Sequence, residues 1–526
     1  MSCDIPPRGS LHSSRPVMGE GGAAAADGPD FSLGVSVADM ADGAILPGRV
    51  GAEPALLIRC GDEFSIIGSA CTHYQGPLGE GLVVADTIRC PWHHACFSLR
   101  DGRALRAPAL DPIPCWRAEK RGDLLFAMEK IALQAPERAA PPTLGRVVIV
   151  GGGAAGLAAA HELREEGYSG SLVMVSADAA APYDRPNLSK DYLAGSAPED
   201  WLPLRPRAYY EERRIELLLA TKVRAIDPRA RLVSLEHGEP LRYDALLLAT
   251  GAEPVRLTIP GAELPHVHYL RSLADSRALI AAAARATRVA VIGASFIGLE
   301  TAAALRERGL EVHVVAPDAT PMQKTLGEDI GRLVRATHEA HGVVFHLCES
   351  VVAIGEDHVA LASGARVPAD LVVVGVGVRP LTTLAEEAGL AVDRGVLVDE
   401  YLETSAPNVF AAGDIARWPD RRSGERIRIE HFVTAERQGQ TAARNILGAK
   451  EPFEAPPFFW SRHYDLTIAY VGHAGAWDRV EIVGDLEKRD CIVTYFCRDH
   501  RMATATIGRD LDNLRVEAQM EASTGG

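Results

Sequence analysis

Cys71-x-His73 and, further on, Cys90-x-x-His93 bring two thiols and two imidazoles into one stretch, CTHYQGPLGEGLVVADTIRCPWHHACFS, over residues 71–98. Thiolate sulfur and imidazole nitrogen are donors for zinc and for iron–sulfur centres, so the set could hold zinc, a cluster, or nothing. Zinc fingers pair like with like, two cysteines and then two histidines. Each pair here mixes one of each kind. That arrangement suits a [2Fe–2S] centre in which two cysteines hold one iron and two histidines the other. The spacing favours His93 as the fourth ligand, with His94 competing for its place.

A second chemistry lies in two glycine-rich turns. VVIVGGGAAGLAAAHEL sets Gly151, Gly153 and Gly156 directly after an apolar run and at the opening of a helix-like one. The first glycine permits a tight turn, the second lets a pyrophosphate approach the backbone, and the third lets helix and strand pack closely. Free N–H groups at the helix start then face the phosphate. Asp178 follows the next apolar run, where a carboxylate binds a ribose hydroxyl. A tight turn without a ligand is the plainer alternative. The second turn, VIGASFIGLE, keeps Gly293 and Gly298 but has Ser295 in the middle. The acidic residue after its second strand is displaced to Asp318 or absent, and no Arg stands there for a 2′-phosphate, which favours NADH over NADPH.

The elements that must position these residues follow from the apolar pattern. Short β-type runs (PALLIRC, EFSIIGSA, TIRCPW, DLLFAM) between Gly, Asp and Pro turns predict a small all-β unit over 31–132. An Ala/Pro-rich linker, 133–145, closes it. RVVIV at 146–150 and SLVMV at 171–175 flank an Ala/Leu-rich helix pattern, a βαβ unit, and residues 288–318 repeat the plan. From 453 the chain turns aromatic and strand-like, predicting a smaller α+β piece. Residues 1–30, rich in Pro, Gly, Ser and Ala, are expected to be a disordered tail, with Met18 as an alternative start.

Composition narrows the partners. A formal charge of −15 argues against nucleic acid or an anionic membrane surface, both of which select basic patches. No apolar run approaches the roughly 20 residues of a membrane span, and the N-terminus lacks a secretory h-region. Nine cysteines, none in C-x-x-C and five of them between 60 and 115, do not read as a secreted disulfide framework; a reducing cytoplasm is expected.

Further motifs carry a family resemblance. ATG at 249–251, GVGVRP at 375–380 and AAGD at 411–414 resemble the pyridine-nucleotide-dependent flavoprotein reductases. APYDRPNLSKDYL (181–193) and RIEHFVTAERQGQTAARNILG (428–448) narrow this to apoptosis-inducing-factor-like proteins and the ferredoxin reductases of oxygenase systems, over about residues 145–526. The resemblance implies FAD at the first turn and NAD(P)H at the second. It implies that Asp414 binds the ribityl chain, that Arg185 and Pro186 line the flavin pocket, and that Thr250, Gly251, Gly377 and Gly413 contact cofactor. It places Lys190 near the reactive ring face, paired with Glu300, and Trp460 reaching the flavin from the C-terminal domain. A cation there stabilises the anionic reduced ring. Without the resemblance, Lys190 and Glu300 read as a solvated pair and Trp460 as a core aromatic. No cysteine lies between 115 and 348, so the flavin-adjacent thiols of disulfide reductases are missing.

CTH and CPWHHACF, for their part, resemble Rieske domains. High-potential members join an extra Cys in each box by a disulfide; Gly76 and Trp92 stand there, which implies the ferredoxin type, toward the lower end of about −150 to +300 mV. His94 occupies a place where the family commonly has Gly. Cys96 could sit behind the cluster as a thiol partner or be a small buried hydrophobe, and Cys60 and Cys115 read the same way.

The expected architecture is therefore multidomain: an all-β Rieske domain at 31–132, an FAD-binding Rossmann-like domain at 146–262 and 386–452, an NAD(P)-binding one at 263–385, and a C-terminal α+β domain at 453–526. A hydride delivers two electrons and a [2Fe–2S] cluster takes one, so a flavin belongs between them. The expected path is NAD(P)H to FAD to cluster to an external acceptor, a redox protein or an oxygenase, with the chain a monomer or homodimer. The competing readings are an NADH oxidase using oxygen and a redox-sensing binding protein. A mononuclear oxygenase site has no matching motif.

Overall fold

EPALLIRC supplies the strand next to one edge of the first sheet, Glu53–Cys60, in which Ala55, Leu56, Leu57 and Ile58 are all buried. The computed structural model describes residues 28–133 and 144–523; residues 1–27 of the expected tail and 134–143 of the expected linker lie outside the described residues. Asp30 already belongs to the fold, since its carboxylate accepts from Ser32 N at 3.0 Å and pairs with Arg49 at 2.7 Å.

Two compact units emerge. The first holds the chain up to Cys90 with Phe97–Ala104 and Asp111–Ala132; the second holds Pro91–Cys96, Leu105–Leu110 and everything from Leu133. The second Cys/His box is thus divided, with Cys90 in the first unit and His93 in the second. In the first unit, six strands form a sheet in the order Val35–Ser36, Leu124–Lys130, Cys115–Arg121, Glu63–Gly68, Glu53–Cys60, Ile45–Val50. Its core packs Phe31, Leu57, Ile66, Trp116 and Leu125.

The second unit contains two parallel sheets of like design. In one, Arg146–Val150 lies between Ser171–Val175 and Ala245–Leu248, with Ile215–Leu218 and Val409–Ala411 at the edges. In the other, Arg288–Ile292 lies between Glu311–Ala316 and Leu371–Val374, flanked by Val343–Leu347 and Val267–Tyr269. Val147, Val148 and Ile149 are fully buried, each contributing about 1.5–3 kcal/mol, as expected for strands covered on both faces. In each sheet the chain leaves the central strand to one side and returns on the other, which opens a crevice at the strand's carboxyl end. A five-stranded antiparallel sheet, Phe458–His463, Leu466–Gly472, His500–Ile507, Asp490–Cys497, Arg479–Asp485, completes the unit with helix Asp510–Ala522. Among the described residues no helix is long and apolar enough to cross a membrane.

Candidate active site

At the end of Arg146–Val150 the backbone turns with φ +123° at Gly151, a region closed to other residues. A Cβ there would lie 2.0 Å from Ala249 O, and one at Gly156 would lie 2.1 Å from Gly151 O. Those two glycines are required by strand, turn and helix. Gly153 is different: a Cβ on it would meet no protein atom within 4 Å. Nothing in the protein demands glycine there, whereas a pyrophosphate lying against the turn does. Helix Ala154–Glu165 begins at Gly153 with no side-chain cap, leaving its first N–H groups to a ligand. The residues present fit a dinucleotide.

This turn opens into a cavity of about 730 Å³ whose wall runs from Gly151–Ala155 to Phe458–Trp460. Asp178 lines it and accepts from Tyr183 Oη at 2.7 Å and Ala180 N at 3.0 Å, leaving lone pairs for a hydroxyl. Asp414 pairs with Arg271 at 2.5 Å, and the adjacent Gly413 N donates to Gln438 Oε1 at 2.8 Å. Arg185 donates to the Arg271 carbonyl, and Thr250 Oγ1 to Leu381 O at 3.0 Å, with Gly251 beside it in the wall. Lys190 Nζ and Glu300 Oε2 stand 2.6 Å apart in the same wall, with side-chain exposures of 12% and 5%, so this pair is not a solvated one. Trp460 also lines the cavity, and no cysteine is among the lining residues.

The second turn repeats the outer glycines. Gly293 has φ +110°, and a Cβ on it would meet Gly375 O at 2.3 Å; one on Gly298 would meet Gly293 O at 2.4 Å. Ser295 precedes helix Phe296–Glu307 and points its hydroxyl to Gly375 O at 3.3 Å. Gly293, Ser295, Gly298 and Gly377 do not line the large cavity, but Phe296, Ile297 and Glu300 from the same helix do.

In the first unit, Cys71 and Cys90 are buried and hydrogen-bonded to each other through their thiols. Burial first, then Cys90, pushes the Cys71 thiol up; bound iron would reverse this by taking the thiolate. The loop holding Cys71 and His73 closes through Cys71 N to Gly76 O and Gln75 N to Cys71 O, both 2.9 Å, and His73 N lies 3.5 Å from Cys71 Sγ. Among the described residues no three His, Cys, Asp or Glu side chains gather around one ion. Two buried thiols side by side fit the cysteine half of a two-iron cluster. Cys96 and Cys115 are buried and Cys60 is half-buried.

In the second unit, His93 is half-buried, and desolvation foremost, then His94 and Lys190, holds its imidazole down at about 3, the neutral form that ligates metal. Its ring centroid lies 4.1 Å from that of Trp460. His94 has other work. It is fully buried, its Nδ1 lies 3.1 Å from Glu517 Oε2, and its ring stacks on Phe458 at 3.9 Å. Its φ of +61° explains why glycine suits the position; histidine there costs about 1–2 kcal/mol, which these contacts offset.

Sequence reasoning did not find the anchor behind this loop. Arg437 donates to Glu517 Oε1 at 2.7 Å, to His94 O at 3.1 Å and to Ala107 O at 3.3 Å, while Gln440 Oε1 accepts from Ala107 N at 2.9 Å. Burial pushes the Glu517 carboxyl up, but Arg437, His94 and Arg106 outweigh it and hold it well below its usual range. Arg437 and Gln440 belong to helix Phe432–Ile446, buried almost all round despite its polar residues. Its polar residues gather on one side, the pattern of a half-exposed surface helix, so nothing local signalled that this side is buried too.

Comparison with known proteins agrees with this geometry. Residues 145–439 match the family of pyridine nucleotide-disulphide oxidoreductases, and residues 33–117 match the Rieske [2Fe-2S] domain. Apoptosis-inducing factor 3 of Homo sapiens is 34% identical over 494 residues, covering 90% of this chain and 81% of that protein. Rubredoxin-NAD(+) reductase of Pseudomonas putida is 36% identical over 366 residues, 69% of this chain and 95% of the relative. The solved covalent complex of putidaredoxin reductase with putidaredoxin superposes with a TM-score of 0.69 at 33% identity, covering 72% of this chain and 93% of that one. With a Rieske domain present, the zinc alternative falls. The chain belongs to the pyridine nucleotide-disulphide oxidoreductase family: it is an FAD-dependent NAD(P)H oxidoreductase with a Rieske [2Fe–2S] domain, and it passes electrons from NAD(P)H through FAD toward an acceptor.

Proposed function

We propose that Cys71, His73, Cys90 and His93 ligate the cluster, that Lys190 and Glu300 act beside the reacting ring, and that electrons leave to a separate redox protein. FAD, when bound, takes a hydride from NAD(P)H and gives electrons up singly. The single observation that carries the reading is the Lys190–Glu300 pair, 2.6 Å apart in a wall that holds no cysteine. Lys190 presents a fixed cation where negative charge develops, and Glu300 holds that ammonium in place. Asp178 and Asp414 offer acceptors for ribose and ribityl hydroxyls, and the Gly153 turn offers N–H groups for pyrophosphate. Thr250, Gly251 and Gly413 line the same wall. Gly293, Ser295 and Gly298 serve NAD(P)H, with NADH preferred because no Arg follows strand Glu311–Ala316 to meet a 2′-phosphate. Trp460, in ring contact with His93, offers an aromatic exit toward a cluster ligand.

Relatives named for reducing rubredoxin and ferredoxin support an acceptor of that class, and the cysteine usage, an odd count with no C-x-x-C pair, supports the reducing cytoplasm as the compartment. The test is Cys71→Ser. Rieske-type EPR signals and turnover with a one-electron protein acceptor should disappear, while NADH still bleaches the flavin. Undiminished turnover in that variant refutes the proposal.

A further inference from the structure

From the cavity wall a line of hydrogen bonds runs inward through groups not used above. Glu300 Oε2 accepts from Lys190 Nζ at 2.6 Å and Ser189 Oγ at 2.7 Å, and Oε1 accepts from Ser461 Oγ at 2.7 Å. Ser461 Oγ lies 3.1 Å from His463 Nε2, and His463 Nδ1 lies 3.1 Å from His338 Nε2. The line crosses three elements: helix Phe296–Glu307, strand Phe458–His463 and helix Gln323–Ala340. Ser461, His463 and His338 are wholly buried. Among the described residues His338 Nδ1 has no hydrogen-bond partner, so the line ends on a buried nitrogen whose hydrogen-bonding capacity is unused.

A hydride carries two electrons and one proton, and an iron–sulfur centre takes electrons alone. One proton must leave the cavity for each nucleotide oxidised. We propose that Ser461, His463 and His338 form the route by which this proton passes between Glu300 and the protein surface. The inference rests on reading the cavity as the flavin site.

The hydrogen-bond directions allow it. With Glu300 ionised, Ser461 donates to Glu300, so its oxygen accepts from His463 Nε2–H, and His463 Nδ1 accepts from His338 Nε2–H. With Glu300 protonated at Oε1, every bond reverses and both imidazoles carry hydrogen on Nδ1. Returning to the first state, Glu300 gives its proton to Ser461, and Ser461 gives its own to His463 Nε2. His463 then passes its Nδ1 proton to His338 Nε2, and His338 releases the one on Nδ1. Each N–H or O–H bond broken is matched by one formed, and both rings are neutral before and after.

The surroundings keep them neutral. Burial foremost, then Lys190, holds His463 down at about 3; burial, then His463 and His341, holds His338 at about 2. The His338 ring stands edge-on to Tyr464 at 5.2 Å, and Tyr464 stacks on His341 at 3.7 Å. Tyr464 and His341 line an open surface cavity with Arg306, Glu307 and Asp465, where water can take the proton.

Histidine ¹⁵N NMR of the full-length chain tests the route without reference to turnover. Near neutral pH both rings should be the Nε2–H tautomer. Glu300→Gln should reverse both, because Lys190 and Ser189 hold the amide oxygen at the Oε2 position and the amide N–H then donates to Ser461. In stopped flow with a pH indicator, the holoenzyme oxidised by ferricyanide after NADH reduction should release its proton at least about tenfold more slowly in His463→Gln, with bleaching by NADH within about twofold of the parent. Tautomers indifferent to Glu300→Gln, or parental proton release in both His463→Gln and His338→Gln, overturn the route alone. A parent chain whose flavin NADH does not bleach overturns the flavin reading and the route with it.

Discussion

The two glycine turns of the second unit share one plan and differ in the middle. At the outer positions they agree almost atom for atom: a Cβ would meet a carbonyl oxygen at 2.0 and 2.1 Å in the first turn and at 2.3 and 2.4 Å in the second. At the middle position the first turn has Gly153 facing open space, and the second has Ser295 bonded to Gly375 O. The outer glycines are therefore answers to the protein's own packing. The middle position is left to something other than packing. On the reading proposed above, the turn for the resident cofactor keeps the barest backbone, and the turn for the nucleotide that comes and goes carries a hydroxymethyl group.

That division can be broken by substitution. Gly151→Ala forces a Cβ into Ala249 O at a φ only glycine adopts, and should cost about 3 kcal/mol or more. Gly298→Ala should cost somewhat less, its clash being looser. Chemical denaturation of both apoproteins checks this; equal stability to the parent would remove the packing argument. Gly153→Ala should leave apoprotein stability within about 0.5 kcal/mol yet weaken FAD at least about tenfold, read by flavin retention on dialysis. A stability loss as large as that of Gly151→Ala would erase the distinction. Ser295→Gly should do least, a few tenths of a kcal/mol in stability and a change in KM for NADH of no more than about threefold. A larger change would make the hydroxyl a nucleotide ligand.

Most of the scaffold could be read directly from residue order, because its signals are local. RVVIV, the turn glycines and the Ala/Leu stretch lie within one short run, so strand, turn and helix follow from period and glycine placement. Asp178 and Asp414 were likewise reachable through short motifs. The Ser461–His463–His338 line was not, since His338 and His463 meet only after the chain has built two intervening sheets. A clue did exist in FFWSRH. Alternation puts Ser461 and His463 on the same face as Phe459, and polar groups on a buried face need partners. His94 was ambiguous for a related reason: a histidine beside a ligand histidine looks like a ligand until Glu517 is seen to engage it.

Among its described lining residues the large cavity, the flavin chamber of the reading proposed above, holds no sulfur nucleophile, a feature with consequences for wear. Oxygen that strays to a reduced flavin leaves peroxide behind, and thiolates are what peroxide and electrophiles consume first. Here the chamber offers them no such target. An exposed thiol sits elsewhere, at Cys348, away from the cavity wall. On that reading the cavity presents its own side products with no thiol to consume.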